Sequence, residues 1–207
     1  MQVNGLPTDA GLLLYNPDTG NWKDMKLTFA TNKRSPSFSI FVTGSDSVWV
    51  SDQESVHLLS KKDDSIKKSI SLFEYTNGSI IQDITQIGNQ LFIATEGVGT
   101  LVHNFNSKKT QALSELIPEA ENLSSTPTWE LFKDGEILWF GTNIGLFRLD
   151  TDTKAFTQIV ADATLKNRII FSIEKDQHGI LWMATERGLM SYNPQNEAVH
   201  AYTENDG

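Results

Sequence analysis

Apolar residues run along this chain in short alternating or β-branched stretches of about five or six positions, the length of a strand, and turn residues interrupt them about every ten positions. Four of the stretches end in an apolar–aromatic–apolar triplet: Val48-Trp49-Val50, Leu91-Phe92-Ile93, Leu138-Trp139-Phe140 and Leu181-Trp182-Met183. The triplets recur about every 45 residues, the size of four strands joined by hairpins. In three units a small residue and a threonine follow, as Ala94-Thr95-Glu96, Gly141-Thr142-Asn143 and Ala184-Thr185-Glu186. A short turn then leads into a second apolar run, Gly145-Leu146-Phe147-Arg148-Leu149 or Gly188-Leu189-Met190-Ser191-Tyr192. That run also opens the chain as Gly11-Leu12-Leu13-Leu14-Tyr15, without its partner.

Each unit therefore predicts four strands. The innermost covers Phe38 to Val42, Ile80 to Thr85, Trp129 to Phe132 and Ile169 to Ile173; the second carries the triplets, the third the Gly-Leu runs, and the outermost covers Asn21 to Leu27 or Ala155 to Val160. Turn chemistry recurs in register, as Gly88-Asn89, Asp134-Gly135 and Asp176-Gln177-His178-Gly179 between the first two strands. A single such sheet cannot bury both faces, whereas stacking it between neighbours can, so repetition is required. The fold class predicted is all-β: a β-propeller fragment of four-stranded antiparallel blades, about four and a half of them, forming an open arc. The expected segments within 1–207 are an outer half-blade over 11–30 and blades over 37–76, 80–117, 128–162 and 168–204. Trp49, Phe92, Trp139 and Trp182 are expected to wedge between blades, each burying about 150–250 Å². The first and last strands leave unpaired edges that invite the remaining blades of a parent propeller or self-association.

The pattern from Asp176 to Asn193, and more loosely from Asp134 to Asp150, resembles the two-component regulator propeller repeat, and the ending Thr203-Glu204-Asn205-Asp206-Gly207 is similar to that family's link between blades. The first full unit departs from the pattern, since Ser51 to Val56 lacks the Thr and Gly, and the second has Phe92 in place of Trp. The resemblance implies a periplasmic, non-catalytic sensor region of a hybrid two-component system histidine kinase, of the Bacteroidetes type that senses oligosaccharides. Nothing in the chain resembles the kinase, receiver or DNA-binding parts.

Charge narrows the partners. With 17 basic and 26 acidic residues the formal net charge is -9, so nucleic acid and anionic membrane surfaces are disfavoured. No stretch approaches the ~20 apolar residues of a membrane-spanning helix. The N-terminal residues carry no signal-peptide pattern. The absence of cysteine excludes disulfides and thiolate chemistry.

Candidate chemistry is sparse, and neither cofactor nor metal is expected. Asp150-Thr151-Asp152-Thr153-Lys154 begins like a calcium loop, but it lacks the central Gly and terminal Glu and coincides with an ordinary hairpin. His57, His103, His178 and His200 share no metal-ligand spacing, and no two carboxylates stand out as a glycosidase pair. Thr95, Thr142 and Thr185 read as turn hydroxyls bonding to backbone. A ligand would meet the loops that vary between units. These carry Glu96, Asn143, Glu186 and Arg187 after the second strands, and Trp129 and Arg168 where innermost strands begin. Trp129 can stack on a sugar ring or plug the channel mouth, the plug being the simpler reading. Two other functions compete with the sensor: a propeller lyase or hydrolase, disfavoured by the lack of convergent histidines, and a general protein-interaction scaffold, whose Gly-His and Trp-Asp signatures are missing.

Overall fold

The computed structural model describes residues 13–16, 19–24, 39–43, 46–52, 55–63 and 65–202. The expected strand residues 25–27, the opening Gly11-Leu12 and the closing link 203–207 lie outside the described residues. Within them the chain forms 18 strands. Strands β1 (Leu13–Asn16) and β2 (Asn21–Asp24) pair alone as the half-blade. Blade one is β3 (Ile40–Thr43), β4 (Ser47–Ser51), β5 (Ser55–Ser60) and β6 (Ile66–Ser71). Blade two is β7 (Ile81–Ile87), β8 (Gln90–Thr95), β9 (Thr100–Asn104) and β10 (Lys109–Ala112). Blade three is β11 (Thr128–Asp134), β12 (Ile137–Thr142), β13 (Gly145–Asp150) and β14 (Phe156–Gln158); blade four is β15 (Ile170–Lys175), β16 (Leu181–Thr185), β17 (Gly188–Tyr192) and β18 (Val199–Tyr202). Every sheet is an antiparallel meander in sequence order.

The first strands of successive blades, β3, β7, β11 and β15, approach one another, which places them on the inner side of an open arc. Between blades lie three apolar layers, each built from one blade's aromatic wedge and the next blade's aliphatic strands. Trp49 shares its layer with Ile84 and Ile93, Phe92 with Leu131 and Phe140, and Trp139 with Ile173 and Met183. Those three aromatics are 1%, 2% and 3% exposed. Trp182 departs from the expected wedge: it is half-buried, with no blade beyond it among the described residues, and its ring stacks on Tyr202 of its own blade at 5.4 Å.

The glycine before the threonine of blade three has a physical reason. A Cβ on Gly141 would stand 2.9 Å from the carbonyl oxygen of Ile170, where the next blade's inner strand passes. The threonine closes the hairpin that follows. Thr95, Thr142 and Thr185 donate their hydroxyls to the carbonyls of Gly99, Gly145 and Gly188 at 2.6, 2.7 and 2.8 Å, and accept from the amides of Val98, Ile144 and Arg187. The Asp150 carboxylate is likewise used as a turn anchor, accepting the amides of Asp152 and Thr153, and those contacts lower its pKa.

Three short elements lie outside an all-strand reading. Short helices α1 (Phe73–Thr76) and α2 (Leu113–Leu116), and a 3₁₀ turn over Pro118–Leu123, fill the links between blades. Leu113, Ala120 and Leu123 from the second link enter the apolar layer with Phe92, so the link extends the core. No helix among the described residues is long and apolar enough to cross a membrane.

Candidate functional site

A β-bulge interrupts the inner strand at one place in each of blades two, three and four, between Ile81 and Asp83, Thr128 and Glu130, and Ile170 and Ser172. A bulge inserts one unpaired residue and re-aims the side chains around it. The inserted residues are Gln82, Trp129 and Phe171, and the residues just after them are Asp83, Glu130 and Ser172. The turn after the second strand comes beside this point, because the amides of Glu96 and Asn143 donate to the carbonyls of Ile80 and Pro127. One end of the arc thus gathers bulge residues and turn residues from three blades.

Trp129 is half-buried here, and its indole N–H donates to the Asn143 side-chain oxygen at 2.6 Å. Phe171, the bulge residue of the next blade, meets it edge-to-face at 5.8 Å and stays 44% exposed. Beside them the Arg168 guanidinium pairs with Glu186 at 3.1 Å, and Glu186 also accepts the Ile169 amide at 3.0 Å. Arg187 reaches the same carboxylate at 3.8 Å. The structure therefore joins Trp129 to Asn143, and Arg168 to Glu186 and Arg187. It leaves Glu96 exposed in its turn, in contact with none of them.

Directly after the bulge residues of blades two and three stand two carboxyls, Asp83 and Glu130, which the sequence pattern does not single out. Asp83 accepts from the Ser39 hydroxyl of blade one at 2.9 Å, the Ile84 amide of its own blade at 2.7 Å, and the Leu131 amide of blade three at 2.8 Å. One carboxylate thus ties three blades. Burial still outweighs those bonds and raises its pKa. Glu130, at the same repeat position, is pushed up to about 8 by burial and by the charges of Asp83 and Glu174. Near neutral pH it is largely a protonated acid, able to donate a hydrogen bond. Both Asp83 oxygens accept hydrogen bonds, which fixes this carboxylate in place beside the inner strands.

The histidines are scattered. His57 contacts Ser69 and Asp52, buried His103 contacts Thr110, and among the described residues no three His, Asp or Glu side chains are grouped to hold a metal. Phe171 was missed because bulges break strand alternation; its signal was an aromatic at the repeat position of Trp129.

Fold and end-face together define a class: an open arc of β-propeller blades that presents a loop surface with an aromatic pair, Trp129 half-buried and Phe171 exposed. No family model and no curated sequence matches the chain. Solved structures do match. The extracellular domain of BT4673 from B. thetaiotaomicron, assigned as a hybrid two component system, superposes with a TM-score of 0.70 over 94% of this chain and 25% of its own, at 22% identity. The corresponding domain of BT3049 from the same organism gives 0.59 over 87% of this chain and 26% of its own, at 16% identity. The β-propeller domain of Cps50 (Swd1) from Myceliophteria thermophila gives 0.62, covering 87% of this chain and 57% of that one at 13% identity. The chain spans about a quarter of the length of the two Bacteroides domains. At identities this low the superpositions show the propeller fold alone.

Proposed function

We propose that this chain is a non-catalytic sensing segment of a hybrid two-component system ectodomain, exposed to the periplasm, that binds carbohydrate at the loop end of its blades and contributes to signalling through a histidine kinase. The observation that carries the reading is the Trp129–Phe171 pair, one ring fixed by Asn143 and the other exposed. Sugar rings present apolar C–H faces ringed by hydroxyls, so a fixed aromatic beside a few polar groups suits them. Glu130 as a protonated donor and the Arg168–Glu186 pair supply such groups. The likeness to the BT4673 and BT3049 extracellular domains supports the sensor setting.

Titration of the chain with a panel of neutral oligosaccharides tests this. Binding by the wild-type chain is expected, and Trp129→Ala and Phe171→Ala should each weaken it by about tenfold or more, a loss of about 1.4 kcal/mol. Absence of binding across the panel, or affinity unchanged in both variants, would overturn the reading.

A further inference from the structure

The three junctions between full blades are filled differently. At the first, Phe105 of blade two lies back on Trp49 of blade one, the rings stacked at 5.7 Å with an interplanar angle of 6°. At the third, Trp139 meets Tyr192 edge-to-face at 6.2 Å. The second junction has neither arrangement. Its wedge is the smaller Phe92, and Thr151 stands at the position of Phe105, since both donate their backbone amides to the first hairpin of their own blade, at Asn89 and Glu136. The Thr151 hydroxyl also turns to the Glu136 carbonyl, at 2.8 Å, so no ring enters the junction from there.

A cavity of about 150 Å³ remains beside Phe92, walled by Val102, by Leu113, Leu116 and Ile117 of the link, and by Leu149 of blade three. An apolar cavity of about this size holds a benzene-sized ring. Its polar lining residues are Gln90, where β8 begins, and Lys154, in the turn between β13 and β14. The cavity therefore lies toward the end of the blades opposite Trp129 and Asn143. Among the described residues Lys154 makes no ion pair. Asp150, whose carbonyl accepts the Lys154 amide, faces Arg148 at 3.8 Å instead.

We propose that this cavity binds a small amphiphilic carboxylate: a single aromatic ring on a short acidic arm, with the ring beside Phe92 and the carboxylate at Lys154. The ring takes the part that Phe105 plays at the first junction, and burying it supplies the drive. An ammonium without a partner at the edge of an apolar cavity selects an anionic head over a neutral or cationic one. The formal net charge of -9 repels anions at long range, so the attraction has to come from Lys154 itself.

Titration of the whole chain with 3-phenylpropionate, followed by methyl NMR, tests this. A dissociation constant of about 1 mM or tighter is expected, with the shifts concentrated at Leu113, Leu116, Ile117 and Leu149. Lys154→Asn removes the ammonium and places at φ 66° a residue that tolerates it. It should weaken phenylpropionate about fivefold and leave the weaker binding of 3-phenylpropionamide unchanged. Phe92→Trp restores the larger ring of the other units; it should abolish binding of both probes and raise Tm by about 2–4 °C. If that variant misfolds, Leu113→Phe replaces it, with the same loss of binding expected. Methyls that do not move at about 10 mM phenylpropionate overturn the proposal. So does equal binding of acid and amide by the wild-type chain, or a folded Phe92→Trp variant that binds as tightly as wild type.

Discussion

Trp139 and Trp182 occupy the same position in consecutive blades, and their surroundings differ. Trp139 is 3% exposed between blades three and four, and no hydrogen-bond partner reaches its indole nitrogen. Trp182 is half-buried, stacks on Tyr202, and turns its N–H back to Asp176 of its own blade at 3.0 Å. Trp49 shows a third arrangement, donating across the junction to Gln86 of the next blade at 2.8 Å. The repeat specifies an aromatic at this point; what the aromatic contributes depends on whether another blade lies against it.

The sharpest way to break that comparison is truncation. Phe92→Ala removes a ring 2% exposed between blades and should cost about 3–5 kcal/mol, whereas Trp182→Ala should cost about 1 kcal/mol, both read by denaturant unfolding. Equal losses would mean that the last blade is as enclosed as the interior ones. The carboxyl row offers a second contrast. Asp83→Ala leaves the Leu131 amide without its acceptor and should cost about 1–3 kcal/mol, while Ser172→Ala, at the matching position of blade four, should change stability by less than about 0.5 kcal/mol.

Glu130 gives a pH signature. Below its ordinary value of 4.5 both folded and unfolded chains hold the proton; between there and about 8 only the folded chain does. Stability therefore falls as pH rises through that window and levels off above it. Glu130→Gln should flatten the fall and raise stability at alkaline pH by on the order of 1 kcal/mol, after allowance for solvent screening. A variant with the wild-type pH profile would remove Glu130 as the source. The smallest effect expected is Trp139→Phe, within about 1 kcal/mol of wild type, because the lost N–H has no acceptor and Phe92 already fills the equivalent place in blade two.

The sequence made the blades legible because a strand pattern that repeats four times averages out local ambiguity. The triplets, the Gly-Leu runs and the turn threonines all mark strands or hairpins that the structure contains. The link elements were hidden: α1 and α2 are four residues each and are held by packing from Leu72 and Leu113 more than by helical periodicity. Part of the end surface could be read, because Trp129, Asn143, Arg168 and Glu186 sit in segments that vary between units. Phe171 and the Asp83–Glu130 row could not. A bulge shifts strand parity by one residue, and only paired strands reveal it.

Hydrogen exchange tests the central comparison most directly. The amides of β12, covered on both faces, should exchange only through near-global unfolding, and those of β16, covered on one face, through a more frequent local opening. Equal protection of β12 and β16 would contradict the account, since no blade among the described residues covers Trp182.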